Sequence, residues 1–332
     1  MATWKLAVDT GQVSGSHSDM PLVVIPSDLE IGSITSAEAD SSRFYTDSGL
    51  VTEVAREVVS ADEIHFLGSS VTTSSEFWMD FDGVRSDYGV TTTYGRNNVW
   101  SGYTAVYHLA EATGTAAIDS TGNYNGTYGG SLPTRTAGPL GYAQNLDGTG
   151  DEMEVTSNLG FSNNQPFCYH GWFRADSSGA NLNSSGLATH LFGSNGGRRA
   201  INWSSDNKIG FGFWDGSFST IEGSALSLST WYHVVGQFDG SSANIYIDGS
   251  SYASGSDGYI EHTGDNDFGI SGRTTDFDGL VAEVRLIKDT VSSDWITTEY
   301  NNQNDNAAFW IATDVGGGGP TPTFVPIVSM VT

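Results

Sequence analysis

The chain has 332 residues and carries 39 acidic against 13 basic side chains, a formal net charge of −26. Nucleic acids and anionic membrane surfaces are bound by clustered Lys and Arg, and the only adjacent basic pair is Arg198-Arg199, so both partners are excluded. Glycine accounts for 42 residues and proline for 8, a turn-rich composition, and a chain of this length predicts about two domains.

The first residues, MATWKLAVDT, contain no apolar stretch of signal-peptide length, and nowhere do about 18 apolar residues follow one another. We therefore expect the protein to be synthesised in a cytoplasm and not to insert into a membrane. The single cysteine, Cys168, lies in the run Phe167-Cys168-Tyr169. It is predicted to be a small buried hydrophobe rather than a nucleophile.

Apolar and polar residues alternate with a period of two in many segments, such as WKLAVDT, YTAVYHLAE, NIYIDG and GLVAEVRLI. Turn dipeptides, for example Asp147-Gly148 and Asp248-Gly249, separate these segments. This pattern predicts an all-β chain of antiparallel sheets. Only two short helices are expected, one over Ser36 to Ser42 and one that begins at Ser292 or Ser293.

The C-terminal residues differ in composition from the rest of the chain. Four glycines, Gly316 to Gly319, precede the uncharged sequence TPTFVPIVSMVT. We predict that 305–332 is a linker with an extended apolar tail, and that the tail docks on a neighbouring subunit. A frayed terminus is an equal alternative. The docking residues would be Phe324, Val325, Ile327 and Val328.

An ordered series of segments from about residue 101 resembles the laminin-G-like domains of the concanavalin A-like lectin/glucanase superfamily. The segments are AVYHLAE (105–111), DSTGNYNGT (119–127), GPLGYAQNLDGTGDEMEV (138–155), FCYHGWFRAD (167–176), LSTWYHVVGQFDGSSANIYIDGSSYASG (228–255) and DFDGLVAEVRLI (276–287). The resemblance implies a jelly roll of two antiparallel sheets. Inward core positions would be Tyr107, Trp172, Trp231, Val234, Ile245, Ile247, Val281 and Val284.

The first hundred residues resemble a β-rich module that precedes such domains in bacterial secreted proteins and phage proteins. Segments such as WKLAVDTGQVSG (4–15) and SSEFWMDFDGV (74–84) carry this resemblance. We therefore predict an N-terminal β-sandwich over 1–100, a jelly roll over 101–304 with a short C-terminal helix, and the linker and tail over 305–332.

The sequence offers few residues for catalysis. Glycoside hydrolases use two carboxylates beside the scissile bond, and Glu152 and Glu154 would share one face of a strand. We favour the interpretation that these two residues lie in a solvated turn and are not catalytic. His108, His170 and His233 fall in strand patterns and are predicted to be packed or rim histidines rather than ligands.

Two binding sites are predicted. Laminin-G-like domains often hold calcium, and the resemblance makes Asp119 the first candidate ligand and Glu283 the second, although Ala282 replaces the usual Asp before it. Stacking aromatics with nearby acceptors indicate a carbohydrate site at Asn202, Trp203, Trp214 and Asp215. The alternative is that at least one of those tryptophans packs in the core.

We predict a non-catalytic structural or adhesion protein, specifically a phage virion surface component such as a capsid decoration protein, head fibre or tail adhesion module. It would form homo-oligomers, contact other virion subunits through its tail, and expose a lectin-like domain to cell-surface glycans. The alternatives are an extracellular carbohydrate-binding module of a secreted bacterial protein and, third, a glycoside hydrolase or lyase.

Overall fold

The structure is a computed structural model that describes residues 2–180, 189–194, 199–214, 218–256, 267–272 and 276–316. It consists of two antiparallel β-sandwiches, and the all-β prediction is confirmed. None of the described helices is long and apolar enough to cross a membrane.

The N-terminal sandwich uses the first seven described strands and the last described one. These are β1 (Ala2–Val8), β2 (His17–Val24), β3 (Arg43–Tyr45), β4 (Glu53–Val54), β5 (Arg56–Ser60), β6 (Glu63–Val71), β7 (Glu76–Phe81) and β24 (Trp310–Asp314). One sheet has the order β24-β1-β7-β3-β4 and the other the order β2-β6-β5. Leu6, Phe66 and Trp310 belong to the apolar core between them.

The second sandwich is the jelly roll, and it contains the strands between β7 and β24. They are β8 (Ala105–Tyr107), β9 (Ala116–Ala117), β10 (Gly126–Gly130), β11 (Thr134–Ala137), β12 (Tyr142–Asp147), β13 (Asp151–Val155), β14 (Phe167–Ala175), β15 (Thr189–Gly193), β16 (Arg199–Trp203), β17 (Ile209–Trp214), β18 (Phe218–Glu222), β19 (Tyr232–Phe238), β20 (Ser242–Ile247), β21 (Ser250–Ser256), β22 (Phe268–Ile270) and β23 (Asp278–Ile287). The outer sheet has the order β18-β17-β16-β15-β22-β13-β10-β9. The junction sheet has the order β11-β12-β23-β14-β19-β20-β21, with β8 also paired to β23.

Four short α-helices complete the described structure: α1 (Ser36–Ser41), α2 (Arg96–Val99), α3 (Ser293–Asn304) and α4 (Asn306–Phe309). Both predicted helices are present. The Ser292 side chain accepts a hydrogen bond from the Trp295 amide and so caps α3, because a helix N-terminus leaves its first amides without partners. Trp295 packs against the core of the N-terminal sandwich, where its ring lies edge-on to His17.

The two sandwiches are stacked, so that the sheets form four layers. On β6, Phe66 packs into the N-terminal sandwich, whereas its neighbour Leu67 packs with Val235 of the junction sheet. Val23 of β2 packs in the same way against Ala282 of β23. The β2-β6-β5 sheet therefore lies between two apolar layers. We call the layer between this sheet and the junction sheet the junction.

The junction corrects two predicted core positions, Trp172 and Trp231. Tyr107, Val234, Ile245, Ile247, Val281 and Val284 lie in the jelly-roll core as expected. Trp172 is buried instead in the junction, beside Ala282, and its Nε1 donates to Gln303 of α3 at 2.6 Å. Its neighbour Phe173 faces the core. Trp231 is partly buried against the junction cluster.

The segment 305–314 is not a linker as predicted. It forms α4 and then β24, which pairs with β1 in the register Val8↔Trp310 to Trp4↔Asp314. The physical reason is that Phe309 and Trp310 are large apolar side chains, and both are buried in the N-terminal sandwich. Residues 317–332, which include the predicted docking residues Phe324, Val325, Ile327 and Val328, lie outside the described residues.

Candidate functional site in the junction

The junction contains a buried network of ionisable side chains in a layer otherwise filled by apolar residues. Each of its members is at most 7% exposed. The β2-β6-β5 sheet contributes Glu57, Glu63 and His65, the jelly roll contributes His108, Cys168, His170, His233, Glu283 and Arg285, and α3 contributes Glu299. Buried charges are costly unless paired, so the pairing within this network decides what it can do.

A β-bulge in β23 places Glu283 in the junction. His170 pairs with Arg285 but Trp172 pairs with Ala282, so that β23 has one residue more than β14 over this stretch. Glu283 has a φ of 54°, a left-handed conformation that is uncommon for a residue other than glycine. The bulge turns Ala282 and Glu283 to the same side, whereas regular alternation would point Glu283 into the apolar core.

His108 links carboxylates from both modules. Its Nδ1 lies 2.7 Å from Oε1 of Glu283, and its Nε2 lies 3.0 Å from Oε2 of Glu57 on β5. Burial lowers the pKa of this imidazole, but the charges of Glu283 and Glu57 outweigh that effect and hold the pKa well above its usual value.

Glu57 is held by two further donors. Trp100 donates from Nε1 to Oε2 at 2.5 Å, and Ser120 donates from Oγ to Oε1 at 2.7 Å. Burial raises the pKa of Glu57, but the charge of His108 and these hydrogen bonds lower it further than burial raises it. Glu57 is therefore an ionised carboxylate with a fixed orientation.

Glu63 and His65 approach the same point from β6. Nε2 of His65 lies 3.0 Å from Oε1 of Glu63 and 4.0 Å from Oε2 of Glu283. Oε1 of Glu63 also lies 3.4 Å from Nδ1 of His108. Burial lowers the pKa of His65. Four side chains from both modules thus converge within 4.8 Å.

Arg285 connects this group to a second one. Its guanidinium donates to Glu283 at 2.8 Å and to Glu299 at 2.9 Å, and lies 4.8 Å from the centre of the Trp100 ring. Burial raises the pKa values of both carboxylates, but the neighbouring cations outweigh it. His108 at Glu283 and His170 at Glu299 have the larger effect and Arg285 the smaller, so both pKa values are lowered, that of Glu299 to about 2. One buried arginine therefore bridges two carboxylates.

The second group surrounds Glu299. Nδ1 of His170 lies 2.7 Å from Oε2 of Glu299, and Nε2 of His170 lies 3.0 Å from Sγ of Cys168. Burial lowers the pKa of His170, but Cys168 and Glu299 raise it to about 10. His233, 3.9 Å from Glu299, has its pKa lowered to about 4 by burial. Cys168 is fully buried, and burial raises the pKa of its thiol, so the predicted inert cysteine agrees with the structure.

A surface cleft of about 250 Å³ leads to the first group. Its lining includes Glu57 and His108 of the network, together with Arg96, Glu111, Ile118 and Ser120. His108 is 6% exposed and Glu57 7%, so both reach the base of this cleft. Solvent ions can therefore approach the network from this side.

The predicted carbohydrate residues do not form one exposed site. Trp203 is 1% exposed, lies in the jelly-roll core and donates from Nε1 to the Ser177 carbonyl, so its ring is not available to a sugar. The alternative of a core tryptophan is correct for this residue. Asn202 is on the opposite face of β16, is 2% exposed, and its Oδ1 has no hydrogen-bond partner among the described residues. The Trp214 side chain and Asp215 lie outside the described residues.

The two predicted calcium ligands are not neighbours in a common site of oxygen ligands. Asp119 is fully buried, and its two oxygens accept hydrogen bonds from Val106, Thr121, Asn123 and Tyr124, which shape the turn after β9. Glu283 lies in the junction beside imidazoles, which calcium does not prefer. The carboxylate of Asp119 thus organises this turn, and calcium binding at either residue stays a prediction.

A repeated dipeptide could have indicated the junction from the sequence. Tyr-His occurs at 107–108, 169–170 and 232–233. In each, the tyrosine packs against the jelly-roll core and the histidine points to the opposite side. All three histidines are buried, as expected for packed side chains. What the sequence did not indicate is that all three lie in one network with Glu57, Glu63, His65 and Glu299.

Residues 147–297 match the family model described as the concanavalin A-like lectin/glucanases superfamily. The resemblance predicted from the ordered segments is confirmed over this range, which runs from the end of β12 into α3. No curated protein matches the sequence.

Several solved structures are similar to part of the chain. One is domain 4 of AbnA, a GH43 extracellular arabinanase from Geobacillus stearothermophilus, in complex with arabinotriose, with 22% identity, a TM-score of 0.42, and coverage of 59% of this chain and 96% of that one. Another is the binding domain of Paraclostridial Mosquitocidal Protein 1, with 14% identity, a TM-score of 0.47, and coverage of 60% and 52%. A third is the Trypanosoma rangeli sialidase, with 15% identity, a TM-score of 0.47, and coverage of 73% and 42%. The aligned regions span about half or less of the latter two chains.

Proposed function

We propose that this protein is a non-catalytic, glycan-binding surface protein, in which the N-terminal sandwich forms a fixed base for the laminin-G-like jelly roll. The observation that carries the proposal is the face of the outer sheet that points away from the core. Glu152, Glu154 and Asn202 project on this face, and each is paired across the sheet with a glycine: Gly129, Gly269 and Gly210.

Such an arrangement suits a polar ligand. Carboxylate and amide oxygens accept hydrogen bonds from sugar hydroxyls, and the paired glycines add no side chains of their own to this face. The predicted stacking residue Trp214 and the acceptor Asp215 remain part of the proposal.

A glycan array probed with the full chain tests the binding. We expect binding that is lost or weakened at least tenfold in Glu154→Gln and Trp214→Ala. Asp206→Asn, a change at a side chain that is 76% exposed, and Trp78→Ala on β7 of the N-terminal sandwich serve as controls and should bind like the wild type. Equal binding by all variants would overturn the proposed location, and no binding by the wild type would overturn glycan recognition.

The third alternative, a glycoside hydrolase or lyase, is favoured by one observation. Burial and the charge of Glu154 raise the pKa of Glu152, as is usual for a general acid in this chemistry. Release of reducing ends from a bound glycan that disappears in Glu152→Gln would replace the binding proposal with this one. We expect no release.

The cellular setting we propose is the surface of a phage virion, with secretion from a bacterium as the alternative. The acidic composition and the uncharged sequence TPTFVPIVSMVT support an exposed shell with one apolar contact segment for neighbouring subunits. Deleting 316–332 should abolish incorporation into particles or homo-oligomers while glycan binding persists. Capsid or tail genes beside this one in the genome would support the virion, and genes of a secretion system would oppose it.

A further inference from the structure

Four side chains of the junction bring potential metal-ligand atoms into one small volume. They are Glu63 and His65 on β6, His108 directly after β8, and Glu283 on β23. Nδ1 of His108 lies 2.7 Å from Oε1 of Glu283 and 3.4 Å from Oε1 of Glu63, which lies 3.0 Å from Nε2 of His65, and all four ligand atoms are within 4.8 Å of one another. A tetrahedral ion with bonds of about 2.1 Å separates neighbouring ligand atoms by about 3.4 Å, a value inside the observed range.

The ligand atoms are oriented by other parts of the network. Nδ1 of His108 points to the common volume because its Nε2 is held by Glu57, whose carboxylate is fixed by Trp100 and Ser120. A carboxylate on the far nitrogen of a metal-binding histidine is the usual outer contact in protein metal sites. Oε2 of Glu283 is held by Arg285, which leaves Oε1 for the common volume.

The charge balance of the network also favours a bound cation. Glu57, Glu63, Glu283 and Glu299 are four carboxylates, each at most 7% exposed, and Arg285 is the one arginine among the described residues that is bonded to any of them. Without a metal, the remaining positive charge has to come from protons on the histidines. A divalent ion supplies it at the point where two of these carboxylates and two imidazoles meet.

We propose that Glu63, His65, His108 and Glu283 form a tetrahedral site for a divalent first-row transition ion, best fitted by zinc, that joins the two modules. The two imidazole nitrogens select such an ion over calcium or magnesium, which prefer oxygen ligands. Two ligands lie on the N-terminal sandwich and two on the jelly roll, so the ion stabilises their stacking. The cleft at Glu57 and His108 provides its access route.

The test uses the full chain, freed of metal with a chelator and titrated with Zn²⁺ and with Co²⁺. We expect one equivalent to bind, with a visible Co²⁺ absorption band of tetrahedral intensity and a higher melting temperature. His108→Gln and Glu283→Gln should each weaken Zn²⁺ binding at least 100-fold. Glu57→Gln, which removes only the outer contact, should weaken it 10- to 100-fold.

Two histidine variants serve as controls, because both residues are buried and neither is a proposed ligand. These are His17→Gln, in the N-terminal sandwich, and His190→Gln, on β15 of the outer sheet. Each should bind Zn²⁺ within about twofold of the wild type. If His108→Gln fails to fold, as judged by circular dichroism, the Glu57→Gln affinity and the Co²⁺ spectrum of the wild type decide the question. Absence of a saturable equivalent, or an equal loss of binding in His17→Gln or His190→Gln, would overturn the proposal.

Discussion

The imidazole rings of His65 and His108 are stacked, with centroids 4.7 Å apart and planes inclined by 29°, although one residue belongs to the N-terminal sandwich and the other to the jelly roll. Two stacked imidazoles in a buried layer do not readily carry a proton each, because like charges repel. Their pKa values are accordingly shifted in opposite directions: burial lowers that of His65, and two carboxylates outweigh burial to raise that of His108. The contact between the two modules is thus electrostatic at its centre and apolar around it.

Replacing Arg285 should destabilise the protein strongly. Arg285→Met leaves the buried carboxylates of Glu283 and Glu299 without their cation, so we expect a loss of about 3–5 kcal/mol in the free energy of unfolding, measured with urea. Lys5→Met breaks the exposed pair with Glu76 and should cost about 0–1 kcal/mol. Similar losses of unfolding free energy in the two variants would show that the buried network contributes little to stability.

His170 should make the stability fall at alkaline pH. Its pKa is raised to about 10 in the folded protein, with an unfolded value near 6.5, so its contribution is fully present below pH 6.5 and is lost as the pH rises through about 10. Urea unfolding of the wild type between pH 6.5 and pH 10 should therefore show a steeper decline than His170→Gln. The control His17→Gln, which removes a histidine whose pKa is lowered by burial, should keep the wild-type slope. If stability falls with pH equally in His170→Gln and the wild type, the raised pKa of His170 is contradicted.

Strand β24 should contribute strongly to the stability of the N-terminal sandwich, because Trp310 lies in its core. Trp310 packs against Phe66, Phe77 and Phe309 and donates from Nε1 to the Val23 carbonyl at 2.9 Å. Trp310→Ala should therefore cost about 3–5 kcal/mol by urea unfolding. Ile311→Ala, at the adjacent residue that is 52% exposed, should stay within about 0.5 kcal/mol of the wild type. A mild effect of Trp310→Ala would mean that β24 is dispensable.

The carboxylate of Asp119 should be needed for the turn that it organises. Asp119→Asn replaces one acceptor oxygen by a donor, so at least one of the amides of Thr121, Asn123 and Tyr124 loses its partner. We expect a loss of about 1–3 kcal/mol, measured by thermal or urea unfolding. Asp206→Asn is the exposed control. If calcium raises the melting temperature of the wild type but not of Asp119→Asn, the calcium prediction for Asp119 would be supported instead.

The sequence predicts the fold well where burial follows a local period. Val281 and Val284 were assigned to the core from alternation and family resemblance, and both lie there. The bulge at Glu283 was not predictable, because it depends on the pairing of β23 with β14 and not on either strand alone. Trp172 was assigned to the wrong side for a related reason. A side chain on the outer face of a sandwich is normally solvated, and nothing local in FCYHGWFRAD indicates that a second module covers it.

The Tyr-His repeat could have indicated the junction, but which side chains meet there could not be predicted from the sequence, for the same reason. His65 and Glu283 are separated by more than half of the chain, and their proximity is produced by the stacking of two sheets. The carbohydrate prediction failed at Trp203 because an aromatic residue beside asparagine on a strand has the same composition whether the ring faces the core or the solvent.

The pairing of β1 with β24 determines how the molecule would respond to mechanical load. The strands are antiparallel, Trp4 lies opposite Asp314, and the Val315 amide donates to the Thr3 carbonyl at 3.0 Å, so both ends of the described chain leave from one end of this strand pair. Tension applied between these two ends would break the hydrogen bonds between β1 and β24 one after another. The reason is that the force acts on one interstrand hydrogen bond at a time. The first element released would be β24 with Trp310, before any strand of the jelly roll is stretched.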